Sequence, residues 1–369
     1  MIFTCERAIL VEVLSNVQKA VAQKSNIAAL EGVLISAKKN KLEFCGYNTE
    51  LGITTSLAAK TEKDGKIVLN AYLLTEIIRK LPEETVRIEI LENLTAKIKS
   101  GQSEFELLGI DPKDFPKLPE IDGESTLELP APTLKSMIRQ TVFAVADTDA
   151  KPIHTGTLFE IKSKELSLVS VDGYRLALRR EAIKEDLELN FVVPGKTLRE
   201  VLKLLPDDEE SAIKISAGMR HVVFEIGNYS VISRLLEGEF LDYKATVPES
   251  SKTQAQINTK AFVDSIERVS LLITDRLKSP VRCVLSSDEV HISCATTIGK
   301  ASDEIPSKIT GEKELEIAFN NKYMIDALRN TDTDEVTMHL NGALSPIKIL
   351  PKEGNAFLFL VLPVRIKAE

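Results

Sequence analysis

The sequence predicts an α+β protein made of three repeated units, each an antiparallel sheet with two helices, and three observations carry that reading. The first is the stretch Gly156–Leu178, GTLFEIKSKELSLVSVDGYRLAL, which reads as strand, tight turn, strand and has counterparts before and after it. Val33-Leu34-Ile35 followed by Leu42-Glu43-Phe44 has the shape of Thr157-Leu158-Phe159 followed by Leu166-Ser167-Leu168. The polar turns Lys39-Asn40 and Ser163-Lys164 fall at the same place, and a third hairpin spans Val281–Ile292. The second observation is the spacing: Gly32 and Gly156 are 124 residues apart, and Leu42 and Val290 are 248 apart, so three equal units fill the 369 residues. The third is a helix after each hairpin that stops in a similar way, LLTEIIRKLPEET at 73–85, TLREVLKLLPDDEE at 197–210 and MIDALRNTDTDE at 324–335.

Taken in order, each unit opens with a short strand and an amphipathic helix. Ile9, Leu10, Val13, Leu14 and Val17 follow the helical period in the first unit, Leu134, Met137, Ile138 and Val142 in the second, and Phe262, Ile266, Val269 and Leu272 in the third. The hairpin and second helix come next, and Leu81-Pro82 and Leu205-Pro206 followed by acids are helix stops. Alternating strands then close each unit: 86–90, 96–99 and 104–108; 212–216, 222–226 and 230–235; 336–340, 347–350 and 357–362. Proline-rich and polar linkers at Asp111–Glu128 and Leu241–Thr253 separate the units, giving domains at 1–120, 128–247 and 253–369.

Composition is that of globular material, 43% hydrophobic and 28% charged. The longest apolar run, Ala356–Leu362, is of strand length and stops at Pro363, and Glu6, Arg7 and Glu12 interrupt the start, so neither a membrane span nor a signal peptide is expected and the location expected is cytoplasmic. Cys5, Cys45, Cys283 and Cys294 lack close ligand spacing and read as reduced core thiols. The net charge of −8 argues against a nucleic-acid binder, but its distribution is uneven. The six helix stretches, 7–19, 71–80, 132–142, 196–205, 260–270 and 322–329, together carry +7 and leave −15 on strands and turns. One basic surface on an acidic body is implied.

Motifs for chemistry are missing. The chain has no G-x-x-x-x-G-K-[ST], no G-x-G-x-x-G and no H-E-x-x-H, and His154, His221, His291 and His339 stand without partners at ligand spacing. No catalytic residue, metal or cofactor is expected, and the acidic run Asp207-Asp208-Glu209-Glu210 reads as a solvated loop. Two features stand out. Asp172-Gly173-Tyr174-Arg175-Leu176 occurs only in the second repeat, where the first has Asn48-Thr49-Glu50-Leu51, and the plain reading is a hairpin turn. The tail Leu360-Val361-Leu362-Pro363-Val364-Arg365-Ile366 is apolar where chains usually end in polar residues.

The repeat length, DGYRL in the middle unit, the DFPKLP linker and the LPVRI tail together resemble the bacterial sliding clamp family, the beta subunit of DNA polymerase III. The resemblance spans the whole chain. It implies three domains of the DNA clamp fold, assembled as a head-to-tail homodimeric ring that encircles double-stranded DNA without regard to sequence. It also implies a non-enzymatic role, tethering the polymerase III catalytic subunit, the clamp loader complex and other polymerases and repair proteins through a short peptide. The peptide pocket it implies consists of His154, Val171, Gly173, Tyr174, Arg175 and Leu176 from the second unit, with Leu241, Ala245 and Thr246 at positions that depart from the family pattern. The third unit adds Leu344, Pro346, Leu360, Leu362, Pro363, Val364 and Arg365. Arg175 and Arg365 are expected at its rim. DNA contacts are implied at Lys24, at Lys151 in the loop 148–151 and at Lys196, and dimer contacts between Phe105 and Leu107 of one chain and Leu271 and Leu272 of the other.

Helix dimensions fit a ring. Helices about 10–12 Å thick leave a hole of ~10 Å when six stand in a circle and ~30 Å when twelve do. A duplex roughly 20 Å across needs the larger hole, hence two chains of six helices. The competing readings are a metal-dependent nuclease or nucleotide hydrolase and a protein scaffold that binds no nucleic acid.

Overall fold

The computed structural model describes residues 1–121, 125–148, 151–274, 276–277, 279–286, 288–312 and 314–365. Ordered by sequence, the first repeat consists of β1 (Ile2–Glu6), α1 (Arg7–Val17), β2 (Gly32–Lys38), β3 (Lys41–Tyr47), β4 (Leu51–Ala58), β5 (Lys60–Lys63), β6 (Gly65–Asn70), α2 (Ala71–Lys80), β7 (Thr85–Ile90), β8 (Thr95–Ser100) and β9 (Ser103–Leu108). The second has β10 (Ser125–Pro130), α3 (Ala131–Val142), β11 (Gly156–Lys162), β12 (Glu165–Val171), β13 (Arg175–Ala182), β14 (Leu189–Pro194), α4 (Gly195–Leu204), β15 (Ala212–Ala217), β16 (His221–Ile226) and β17 (Tyr229–Arg234). The third has β18 (Thr253–Asn258), α5 (Thr259–Ser270), β19 (Val281–Ser286), β20 (Glu289–Thr296), β21 (Gly299–Gly311), β22 (Leu315–Phe319), α6 (Asn321–Arg329), β23 (Glu335–Leu340), β24 (Ile347–Pro351) and β25 (Phe357–Val361). Each repeat is two helices on antiparallel sheet, as the hydrophobic periods require.

The repeat extends to backbone detail. Lys39 and Asn40 have φ of 49° and 62°, and Ser163 and Lys164 have 53° and 60°, so both hairpins close through two left-handed residues whose twist suits the flanking strands. Cross-strand registers also correspond: Leu34 opposes Cys45 and Cys45 opposes Thr54, while 124 residues on Leu158 opposes Val169 and Val169 opposes Leu178. Helix starts are built alike in the outer repeats, where Asn70 Oδ1 accepts from Leu73 N at 2.9 Å and Asn320 Oδ1 from Lys322 N at 2.9 Å.

Contacts divide the chain into two compact units, Met1–Leu134 with Lys196–Leu235, and Lys135–Gly195 with Leu236–Glu369. The first contains a five-stranded sheet ordered β5-β1-β7-β8-β9 and an eight-stranded sheet ordered β10-β15-β16-β17-β4-β3-β2-β6. The second contains one continuous sheet ordered β14-β11-β12-β13-β25-β24-β23-β18-β21-β20-β19-β22. The joins between repeats lie inside these sheets: β17 of the second repeat adds to β4 of the first, and β25 of the third adds to β13 of the second. In the first unit α1 buries Leu10, Val13, Leu14 and Val17 and packs beside α2, which buries Leu74 and Ile78; in the second, α5 and α6 form the same pair. Cys5, Cys283 and Cys294 are buried free thiols, whereas Cys45 is only half-buried; desolvation pushes the Cys45 and Cys283 thiols up to about 12.

Candidate peptide pocket, basic helix and open strand edges

The turn before β13 is held by its own side chains. Asp172 Oδ1 accepts from Tyr174 N (2.9 Å) and Arg175 N (3.0 Å), and Gly173 takes φ +88°, a conformation costly for any residue with a Cβ. Asn48 builds the same turn in the first repeat, accepting from Glu50 N (3.1 Å) and Leu51 N (2.8 Å) around Thr49 at φ 75°. The plain turn reading of Asp172-Gly173 therefore holds for the backbone, and the second repeat differs in the residue at the head of its next strand. Where the first repeat has the buried Leu51, the second has Arg175.

Arg175 is not at a rim. Its side chain is only 9% exposed: Nε donates to Asp172 Oδ2 at 2.9 Å, an Nη donates to Asp326 Oδ2 at 2.6 Å, and the guanidinium lies 4.7 Å from the Tyr323 ring centroid and 5.5 Å from that of Phe143. The charge is desolvated but fully engaged, as a buried guanidinium must be. Tyr174 turns outward, 61% exposed and stacked on Tyr323 with centroids 5.9 Å apart. The arginine thus fixes the turn against α6, and the tyrosine forms the surface.

The apolar floor assembles from distant segments. Leu176 and Leu360 are cross-strand partners and belong to one buried cluster with Ile153, Leu178, Tyr243 and Leu358. Val171 is buried at the end of β12. Phe240 and Val247 pack against the same cluster, and His154 meets Phe240 edge to face at 5.9 Å. Phe240, Tyr243 and Val247 are absent from the sequence expectation, although an aromatic and apolar spacing in the 236–247 linker signals them. Leu241, Ala245 and Thr246 lie on the exposed side of that linker, where Tyr243 Oη donates to Glu160 at 2.7 Å and Lys244 pairs with it at 2.8 Å. Burial disfavours ionisation of the Glu160 carboxyl, but these two hydrogen bonds hold it below the usual carboxylate range.

The tail leaves its sheet at the proline, as a residue without an N–H must. β25 ends at Val361; Leu362 N donates to Tyr174 O at 2.9 Å, Pro363 forms a bridge with Phe319, and Val364 N donates to Ala318 O at 2.8 Å. Leu362 and Val364 stay partly open, and Arg365 is exposed. Pro346 precedes β24, whose first residue Ile347 opposes Val361, and Leu344 on the same loop is exposed. The two features singled out in the sequence therefore meet at the Leu362–Tyr174 hydrogen bond. Ile366 and the residues after it lie outside the described residues.

The basic helices are less uniform than their summed charge. Arg139 of α3 bonds Asp332, Arg329 of α6 bonds Glu267, and Lys260 and Arg268 of α5 pair with Asp264 (2.6 Å) and Asp303 (2.5 Å). α4 keeps the clearest cationic stripe, with Lys196 and Arg199 exposed and without an ion-pair partner among the described residues. Lys24, in the segment after α1, and Lys151, at the edge of the 148–151 loop, are exposed too; residues 149 and 150 of that loop lie outside the described residues.

β9 is an edge strand with Phe105 41% exposed and Leu107 half-buried, and Leu271 and Leu272 follow the last turn of α5, Leu271 exposed. Among the described residues no three His, Cys, Asp or Glu side chains gather as a metal site would need, and no helix is long and apolar enough to cross a membrane.

Family models match three successive segments: the DNA polymerase III beta subunit N-terminal domain over residues 1–119, its central domain over 128–242 and its C-terminal domain over 244–365. The chain is 35% identical to the beta sliding clamp of Bacillus subtilis over 377 residues, covering 99% of this chain and 100% of the relative, and 32% identical to that of Staphylococcus aureus, covering 99% of each. The crystal structure of the DNA polymerase sliding clamp from Bacillus subtilis superposes with a TM-score of 0.95 at 34% identity, covering both chains fully. With every repeat matched and the whole length covered, the chain belongs to the DNA polymerase III beta subunit family, the beta sliding clamps.

Proposed function

We propose that this protein is a DNA sliding clamp: two copies close head to tail around duplex DNA and tether the replicative polymerase without catalysing a reaction. The observation that carries the reading is the repeat's own method of joining. β17 adds to β4 and β25 adds to β13, so the last strand of one repeat completes the sheet of the one before it. Among the described residues β9, the last strand of the first repeat, has no such host, and the Gly299–Ile305 part of β21 pairs only with β20. Unpaired edges of this kind are normally blunted or used, and a heterologous contact between copies uses both.

The register derives from the existing joins. Ser233 opposes Leu51 and Val361 opposes Arg175, which sets Leu107 opposite the partner's Gly299, Phe105 opposite Ala301 and Glu106 opposite Lys300. Leu272 already lies 3.8 Å from where a Gly299 Cβ would stand, so Leu107 arrives against Leu272. Val231 and Phe359, the counterparts of Phe105, are fully buried.

Lys24, Lys151 and Lys196 then serve as phosphate contacts that position without reading bases. The surface of Tyr174, Leu344, Leu362, Val364 and Arg365 above the Leu176–Leu360 floor accepts an extended peptide from the polymerase III catalytic subunit, the clamp loader or other polymerases and repair proteins. The place of action is the cytoplasm. A native mass measurement combined with retention on circular against linearised DNA tests the reading: a monomer, or equal loss from both DNAs, refutes it, and metal-dependent turnover of DNA supports the nuclease alternative.

A further inference from the structure

The cross-strand row Leu158–Val169–Leu178 of the second repeat is sealed, its members 8%, 0% and 0% exposed. The chain's own linker seals it, with Tyr243 buried in the cluster and Phe240 and Val247 packed on it. The same row in the first repeat is Leu34–Cys45–Thr54, in identical register, and all three are half-buried. They line a cavity of about 680 Å³ between β2, β3, β4 and the 112–118 linker. Phe115 and Leu118 of that linker reach one wall and leave the rest open.

The rim is also different. Lys41 and Lys66 stand where the second repeat has Glu165 and Asn190, and the linker adds Lys113 and Lys117. Lys41 pairs with Glu43 at 3.0 Å; Lys66, Lys113 and Lys117 have no acidic partner among the described residues. The cavity runs on into a second of about 630 Å³ that shares Ser36, Lys41, Glu43 and Lys66 and adds Lys38, Lys39 and Asp64, so lysines outnumber acids along both. A basic trough with an apolar floor results, in a protein of net charge −8.

We propose that this trough is a second docking site, taking an extended acidic segment of a partner protein that carries an aromatic anchor. The chain's own covering segment supplies the pattern: Glu239-Phe240-Leu241-Asp242-Tyr243 places aromatic rings over the homologous row. Peptide is favoured over single-stranded nucleic acid because the aromatic rings lining the trough, Phe44 and Phe115, are buried and present no stacking face to bases. The site shares no residue with the pocket around Leu176 and Leu362.

The test is fluorescence anisotropy of a fluorescein-labelled peptide copying Glu237–Tyr243, EGEFLDY, against the full chain, with hydrogen exchange to map where it sits. Lys66→Glu with Lys117→Glu changes exposed side chains only, so the fold persists. That variant is expected to weaken binding by about tenfold or more, as is raised salt. The peptide with both aromatics replaced by alanine is expected to lose binding, and protection is expected at residues 34–36, 43–45 and 54–56. Equal binding to the variant, no saturable binding, protection confined to 171–176 and 360–364, or displacement by an oligothymidine strand would each overturn the proposal.

Discussion

Phe105→Ala is the most direct probe of how two copies join. The ring is 41% exposed in the single chain, and its counterparts at the two joins inside the chain are fully buried. An aromatic side chain offers about 200 Å², so closing the interface removes about 80 Å² from water, about 2 kcal/mol at 25 cal/mol per Å². A closed head-to-tail dimer contains the contact twice, so the substitution costs about 3–4 kcal/mol and raises the dimer Kd about 100- to 1,000-fold. Sedimentation velocity through the sub-micromolar range reads this directly, with thermal unfolding as a control, because an exposed side chain on an edge strand contributes little to the fold of the single chain. The register is tested separately. Glu106→Lys sets a like charge opposite Lys300 and removes the Lys97–Glu106 pair (3.1 Å), and Lys300→Glu in the same chain restores a cross-strand attraction. A Phe105→Ala protein that stays dimeric at nanomolar concentration, or a Glu106→Lys defect that Lys300→Glu does not relieve, would refute the pairing.

Four further outcomes are expected. The triple change of Lys24, Lys151 and Lys196 to glutamate shortens retention on circular DNA and flattens its salt dependence while leaving the dimer mass unchanged, as filtration of loaded complexes would show. Ending the chain before Leu362 removes the Leu362–Tyr174 and Val364–Ala318 hydrogen bonds, and a polymerase-tail peptide, expected to bind the intact chain at roughly micromolar strength, loses binding by anisotropy while the dimer persists. Arg175→Met leaves Asp172 and Asp326 facing a desolvated space; because Asp326 is 32% exposed, the loss is about 2–3 kcal/mol rather than the full cost of an orphaned buried charge, measurable by urea unfolding. Burial, helped by Lys348, lowers the pKa of His339, so the folded chain resists its protonation. The stability this represents is complete above the unfolded value near ~6.5 and is lost as pH falls through the lower folded value, so urea midpoints decline below about pH 6.5 and His339→Gln reduces that decline.

The range of each physical signal decides whether the sequence reveals it. The helices and the three closing strands of each repeat carry strong periods and are legible to within a residue or two. β4, β13 and β21 are not legible as strands. In β13 the turn residues at its start dominate the local pattern, and β21 is largely polar with Pro306 inside it. The floor of the candidate pocket is legible because Leu176 and Leu360 are apolar in any reading, whereas the 40% exposure of Leu362 above them is not. The burial of Arg175 is not, since its partners are three residues away in Asp172 and 151 residues away in Asp326. Likewise the summed helix charge conceals that Lys260, Arg268 and Arg329 of α5 and α6 are paired with Asp264, Asp303 and Glu267 and Lys203 of α4 with Glu200, whereas Lys196 and Arg199 of α4 have no ion-pair partner among the described residues.

The two joins inside the chain also separate the features that the repeats share from those that differ. Both are antiparallel additions onto the strand after the hairpin, so the backbone frame around Leu51 and around Arg175 is one frame used twice. A site differs from its counterpart only through side chains placed on that frame. Arg175 in place of Leu51 brings a desolvated cation that selects the aspartates and aromatics around it and so pins Tyr174 outward. Leu178 in place of Thr54 makes a row that the 240–247 linker can seal, and Glu160 in place of Ser36 supplies the carboxylate that receives Tyr243 and Lys244. Where the first repeat keeps Thr54 and Ser36, the 112–118 linker meets a row that ends in a hydroxyl and finds no counterpart of Glu160 on its strand, and the trough stays open. Divergence between repeats, read position by position, is therefore the physical signal that separates binding surface from scaffold in this chain.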